Sequence, residues 1–346
     1  MIAVVPEPFP DESVRSIFQR IGLLNGGRRS RCDNSQGVLA VLVNQAGLPE
    51  KSLITDHSHV GYLRFVSKAH AAVPVHSHSD RFANPSLTRW PTAGPRVCLD
   101  CIGEDLHTRG ISYYRRAHQL PGVEACLTHA ASLVLPSPDQ SGALLVGLPE
   151  KTRPVDPSFA EHLEHPVIER FVSLSMMALK SIIPIAPSGM TAALGRRAAM
   201  HGVRITVSGK GRRLSDWARS VLPAAWVATH FAALHQKPIG EHAPSVDDVF
   251  RARHVAHKTA SYLLAMALLW DSAEDAMRDC AAAPTHTNCE VPTGAGRRAL
   301  RAVLDGKSII SACRAEGANM QALEIAMRAA LREGSFPTLG SIDGTC

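Results

Sequence analysis

Residues 96–105, RVCLDCIGED, and residues 125–133, ACLTHAASL, decide how this chain is read. Together they place Cys98, Cys101, Cys126 and His129 in the pattern C-x2-C-x24-C-x2-H. Three thiolates and one imidazole close a tetrahedral shell around Zn²⁺, and each close pair has the spacing of a tight knuckle. With four protein ligands the shell has no open position for water, so the expected site is structural and no catalytic residues are assigned.

Composition favours metal over disulfides. Eight cysteines in 346 residues is a modest density, and Cys32, Cys313 and Cys346 stand apart from the knuckles as ordinary thiols. Met1–Pro10 lacks a basic leader and is broken by prolines, so neither a secretory signal nor a membrane anchor is expected. No run reaches the ~18 apolar residues that a membrane span requires. A cytoplasmic protein with reduced thiols is the expectation.

The net charge of +6, from 37 Lys and Arg against 31 Asp and Glu, favours a polyanionic partner or an acidic protein surface. The excess falls in three patches: Arg28, Arg29 and Arg31; Arg109, Arg115 and Arg116; and Arg204, Lys210, Arg212, Arg213 and Arg219. Each is either a polyanion surface or a solvated face.

The fold class expected is mainly α, multi-domain, with a small zinc-ribbon module and helix-turn-helix-like units. Residues 1–90 form an N-terminal helical domain, in which Asp11 caps a helix carrying Val14, Ile17, Phe18 and Ile21 on one face. A second helix runs from Gln36 to Gln45, and a His-rich stretch follows with His57, His59, His70, His76 and His78. Residues 91–136 are the zinc ribbon. A Pro-rich linker leads to a helical domain over 155–290, with helices at Phe159–Ile183, Thr191–His201, Leu214–Leu222, Pro223–His235 and Ser245–Trp270 and an extended piece at Val203–Val207. Residues 291–333 read as helices at Arg297–Leu304, Ser308–Glu316 and Met320–Leu331, with Gly317 in the turn between the last two. A glycine turn lets two short helices cross steeply and directs the second into a major groove. The candidate DNA contacts are Arg297, Arg298, Asn319, Gln321 and Arg328.

Other chemistries have weaker signatures. The glycine-rich Ser208–Gly211 lacks the flanking elements of a phosphate loop. His254 and His257 share a helix face, and a second ion near them with Cys280 and Cys289 is conceivable, although those cysteines lack knuckle spacing. Asp100, Glu104 and Asp105 stand near the first knuckle as available carboxylates, but no H-x-E segment precedes it as a zinc deaminase requires.

Four stretches resemble the TniQ family. Its C-x-x-C, Y-x-R-x-x-H-Q-x-x-G-V and C-x-x-H-G-x-x-L segments are matched at Cys98–Cys101, Tyr113–Val123 and Cys126–Leu133, and its opening P-x-x-D-E-S-x-x-S-x-x-x-R at Pro8–Arg20. The likeness covers about the first 135 residues; Ala130 stands where the family has glycine, and Leu99 where proline commonly follows the first cysteine. The resemblance implies a non-catalytic adaptor that selects transposition targets, linking target DNA or an RNA-guided complex to an AAA+ ATPase. Some members bind DNA themselves; others dimerise and dock on a CRISPR surveillance complex. It also implies that Cys98, Cys101, Cys126 and His129 are zinc ligands. The alternatives are a zinc-containing DNA-binding transcriptional regulator and, behind it, a zinc-dependent hydrolase or nuclease.

Overall fold

The computed structural model describes residues 4–26, 41–45, 47–67, 91–92, 94–137, 146–156, 162, 164–181, 183–205, 211–251, 258–282 and 294–318, and residues 320, 322–323, 326–327 and 330 of a last helix. The chain divides into two compact units, Met1–Ala283 and Pro284–Cys346. The boundaries expected at 90, 136 and 155 fall inside the first.

In the first unit, α1 (Val14–Leu24) turns Val14, Ile17 and Ile21 into a small core with Leu42 and Leu53, the latter from α2 (Glu50–Thr55). Its cap is Ser13, whose hydroxyl accepts from the Ser16 N–H at 3.2 Å, and not Asp11 as expected. Asp11 takes a left-handed backbone (φ 57°) and binds Arg116 instead. Of the helix expected over Gln36–Gln45, the described residues Val41–Gln45 form one π turn. A short α3 (Val60–Leu63) follows, and then α4 (Leu99–Arg109), which ends on Gly110 in the left-handed conformation.

A two-stranded antiparallel sheet pairs β1 (Val134–Pro136), at the end of the expected ribbon, with β2 (Thr152–Pro154), in what reads as linker, with Leu135 paired to Arg153. The helical layer comprises α5 (Pro166–Lys180), α6 (Pro187–Met200), α7 (Leu214–Val221), α8 (Ala224–His230), α9 (Ala232–His235), α10 (Pro244–Asp247), α11 (Thr259–Leu269) and α12 (Ala273–Ala282). Proline starts α5, α6 and α10, where its missing N–H is no loss. Helix α11 is apolar on every side and buried throughout except at Ala260, so it runs through the core rather than along the surface.

Three expectations differ. The helix over Ser245–Trp270 is broken: α10 passes into a 3₁₀ turn at Asp248–Phe250, and α11 starts only at Thr259. The cause is side-chain anchoring: Asp247 accepts from the Ser215 N–H and hydroxyl and from the Ala243 N–H, and Asp248 pairs with His242 and Arg251. Pro223–His235 is likewise interrupted at Phe231, between α8 and α9. At Val203–Val207 the described part is a single bridge from Val203 to Arg212.

The main core joins Cys98, Cys101, Cys126, Leu120 and Val123 of the knuckle region to Phe171, Trp226 and the whole of α11. No helix among the described residues is long and apolar enough to cross a membrane.

The second unit has α13 (Gly294–Leu304) and α14 (Ile309–Ala315), and residues from 320 onward add a further helical stretch. Ser308 caps α14 by accepting from the Ser311 N–H, and Gly317 (φ 62°) turns the chain. Ala299, Leu300, Cys313, Leu323 and Ala326 make its core.

Candidate metal centre

Cys98 sits at the N-cap of α4 and Cys101 one turn in, so both sulfurs face the positive end of the helix, which favours thiolates. Val97, bridged to Val134, fixes the strand that leads into the cap. Leu99 occupies the first helical position, where a proline would cost nothing. The second knuckle is closed by the Ala130 N–H to the Cys126 carbonyl and the Cys126 N–H to the Ala131 carbonyl, both at 2.8 Å. This turn puts Ala130 at φ 52°, the conformation that glycine takes most readily.

The four donors converge. Nδ1 of His129 lies 3.6 Å from Cys98 Sγ, 3.3 Å from Cys101 Sγ and 3.6 Å from Cys126 Sγ, and the Cys101 and Cys126 sulfurs are 3.6 Å apart. All four donor atoms lie within 4.8 Å of one another. A tetrahedral ion with metal–sulfur bonds of about 2.3 Å and a metal–nitrogen bond of about 2.0 Å has edges of roughly 3.5–3.8 Å, so the set can hold one metal ion. On the far side of the ring, His129 Nε2 donates to Glu104 Oε1 at 2.9 Å, which orients the imidazole so that Nδ1 faces the sulfurs.

The surroundings favour the thiolate at one of the three sulfurs. The hydrogen bond between Cys101 and Cys126 holds Cys126 well below the ordinary thiol range and pushes Cys101 up, and His118 also lowers Cys126. Burial raises Cys98. An entering cation displaces the remaining protons.

Two of the neighbouring carboxylates are engaged. Glu104 holds His129, and Asp105, fully buried, accepts from Arg109, Ser112 and both terminal nitrogens of Arg115. Asp100 is exposed in the first turn of α4.

The resemblance segments pack against one another. The Ser13 N–H donates to the Tyr114 carbonyl and the Arg116 N–H to the Asp11 carbonyl, each at 2.8 Å. Buried Arg20 pairs with buried Glu12 at 2.7 Å and stacks 3.9 Å from the Phe9 ring. Gln119 bonds both the N–H and the carbonyl of Arg96. Thus Arg115 and Arg116, expected in a basic patch, are spent inside the fold, and Arg109 is paired to Asp105.

Of the third patch, Arg212 lies over Trp217, Arg213 donates to the Gly240 carbonyl and Arg219 to the Lys237 carbonyl. His57 and His59 bond the carbonyls of Glu12 and Arg116 and serve the fold. Arg28, Arg29, Arg31, Cys32, His70, His76, His78, Lys210, His254, His257, Cys289 and Cys346 lie outside the described residues; Cys280 is buried in α12, and burial pushes its thiol up to about 12.

Of the candidate DNA contacts, Arg297 is exposed on α13, and Arg298 pairs with Glu316 at 2.9 Å. Asn319, Gln321 and Arg328 lie outside the described residues. No spacing in the sequence links Glu124, Asp156 and His162, which the fold brings together in a buried cluster beside the knuckles.

Residues 3–133 match the TniQ family model, a stretch that spans the opening segment and all four candidate ligands. No curated protein matches the chain.

Proposed function

We propose, from the premise that residues 3–133 make this chain a TniQ-domain protein, that it is a non-catalytic adaptor for target selection in transposition. In this reading it links target DNA, or an RNA-guided complex on that DNA, to an AAA+ transposition ATPase. The observation that carries it is the union of the family match with a four-donor centre beside which Glu104 and Asp105 are already engaged. Cys98, Cys101, Cys126 and His129 hold Zn²⁺, since three thiolates with one imidazole are a soft tetrahedral set. The ion supplies rigidity, with apparent binding energies of about 10–16 kcal/mol for structural zinc, and Glu104 fixes the ligating ring.

The second unit supports direct contact with DNA. Its three-helix arrangement around Ala299, Leu300, Cys313, Leu323 and Ala326 has the glycine turn at Gly317 that the helix-turn-helix reading requires. In this reading Arg297 and Arg298 meet phosphates; Asn319, Gln321 and Arg328, the other proposed contacts, lie outside the described residues.

Binding of the full chain to target duplex over a salt series tests this. Affinity that falls steeply with salt, with the slope reduced by about 1 in Arg297→Ala, supports a direct reader. Binding that requires a guide complex assigns the DNA reading to that complex, and DNA cleavage by the chain alone would overturn the adaptor reading.

A further inference from the structure

Between α6 and α7 the third basic patch builds an ordered array on the surface. Val203, just after α6, bridges Arg212, just before α7, and the Arg204 N–H donates to the Arg212 carbonyl at 2.8 Å. The two strands of chain approach closely, because Gly211 has a φ of 104° and a Cβ there would strike the Gly202 carbonyl oxygen. Arg212 is thereby held against α7, and its guanidinium lies 3.9 Å from the centre of the Trp217 ring. The His201 ring stands 5.6 Å from Trp217, tilted by 39°. His201 Nε2 donates to the Leu269 carbonyl at 3.0 Å, and Arg197, one turn earlier on α6, donates to the same oxygen at 2.9 Å. Arg212 and His201 are exposed, and Trp217 is half-buried between the chain and solvent.

The array carries unbalanced positive charge. Asp216 on α7 is taken by Lys237 at 2.6 Å, and Asp271 meets Arg197 only at 4.0 Å. Arg213 directs its donors to the Gly240 carbonyl and His242 Nδ1 and keeps its charge. Among the described residues Arg212 pairs with no carboxylate. One face of its guanidinium covers the indole, and the exposed side offers a second flat, weakly hydrated face. Ligands that combine a flat ring with negative charge are nucleotides, whose bases stack on guanidinium planes. A duplex buries its base faces in its own stack and offers this array phosphates alone, and an acidic protein surface offers charge without a plane. An unpaired strand offers both.

We propose that Arg212, Trp217 and His201 form a stacking platform for single-stranded nucleic acid. One base lies against Arg212, while Arg197 and Arg213 add positive field for the phosphates on either side. The platform belongs to the first unit, apart from the duplex contacts proposed for the second, and it does not rest on the transposition reading.

The test is titration of the full chain with a labelled oligothymidylate and with a mixed-sequence duplex, followed by anisotropy and tryptophan emission. Wild type, Arg212→Ala and Arg212→Lys are compared; the exposed position spares the fold, and circular dichroism verifies it. The expected result is a strand that binds and quenches emission, with affinity about tenfold weaker in Arg212→Ala and duplex affinity unchanged. Arg212→Lys, which keeps the charge and loses the plane, should restore only a small part of the loss. A wild type that does not bind the strand, or strand affinity equal in wild type and Arg212→Ala, would overturn the proposal. So would an equal loss for strand and duplex, full restoration by Arg212→Lys, or displacement of the strand by polyglutamate at matched charge, each of which reduces the array to a site for charge alone.

Discussion

The ring of Phe171 stands 2.4 Å from where a Cβ on Gly122 would lie, and Gly122 itself has a φ of 76°. Here the segment after the first knuckle touches α5 with only a hydrogen atom's clearance. Gly122→Ala must therefore push against Phe171 and also strain its own backbone. A loss of about 2–5 kcal/mol is expected, measured by denaturant unfolding of the full chain.

Ala130 gives the opposite outcome. It holds a left-handed φ of 52° to close the second knuckle, where a β-carbon is disfavoured. Ala130→Gly is expected to raise stability by about 1 kcal/mol with metal content unchanged, read as a higher melting temperature.

Losing a sulfur should unmake the region around it. Cys98, Cys101 and Cys126 are buried in the same core as Phe171 and Trp226, so an empty thiol cage leaves that core without its bracket. Cys98→Ser or Cys126→Ser is expected to bind no ion in the knuckle site and to lose protection from amide exchange over residues 96–133. Normal metal content and protection in either variant would contradict this.

His59 gives a pH dependence with a defined sign. Burial lowers its pKa from 6.5 to about 4, while its Nε2 bonds the Arg116 carbonyl. Between those pH values the unfolded chain binds the extra proton, so this contribution to stability is whole above about pH 6.5 and is lost as pH falls towards 4. The size is on the order of 3 kcal/mol. His59→Gln, which keeps a donor for the carbonyl, should flatten the stability profile across that window.

Much of the candidate centre is legible because its four donors lie in two short knuckles, and the periodicity of Val14, Ile17 and Ile21 likewise shows the buried face of α1. What escaped was set by distant partners. Arg115 and Arg116 read as surface charge until Asp105 and Asp11 are seen beside them. The apolar run before helix α12 hid the break after α10, because Asp247 acts through Ser215, far back along the chain. Glu124, Asp156 and His162 have no spacing signature at all; only the fold brings them together. The resemblance segments turn out to carry packing: the Glu12 and Arg20 pair, the Gln119 clamp on Arg96 and the clearance at Gly122.

The most direct test of the adaptor reading is recruitment of the transposition AAA+ ATPase to labelled target DNA, with its guide complex where one exists, by the full-length chain and by Cys98→Ser. Recruitment by the wild type that fails in the variant is the predicted result. Recruitment that proceeds equally without the chain, or with a knuckle that holds no metal, would contradict it.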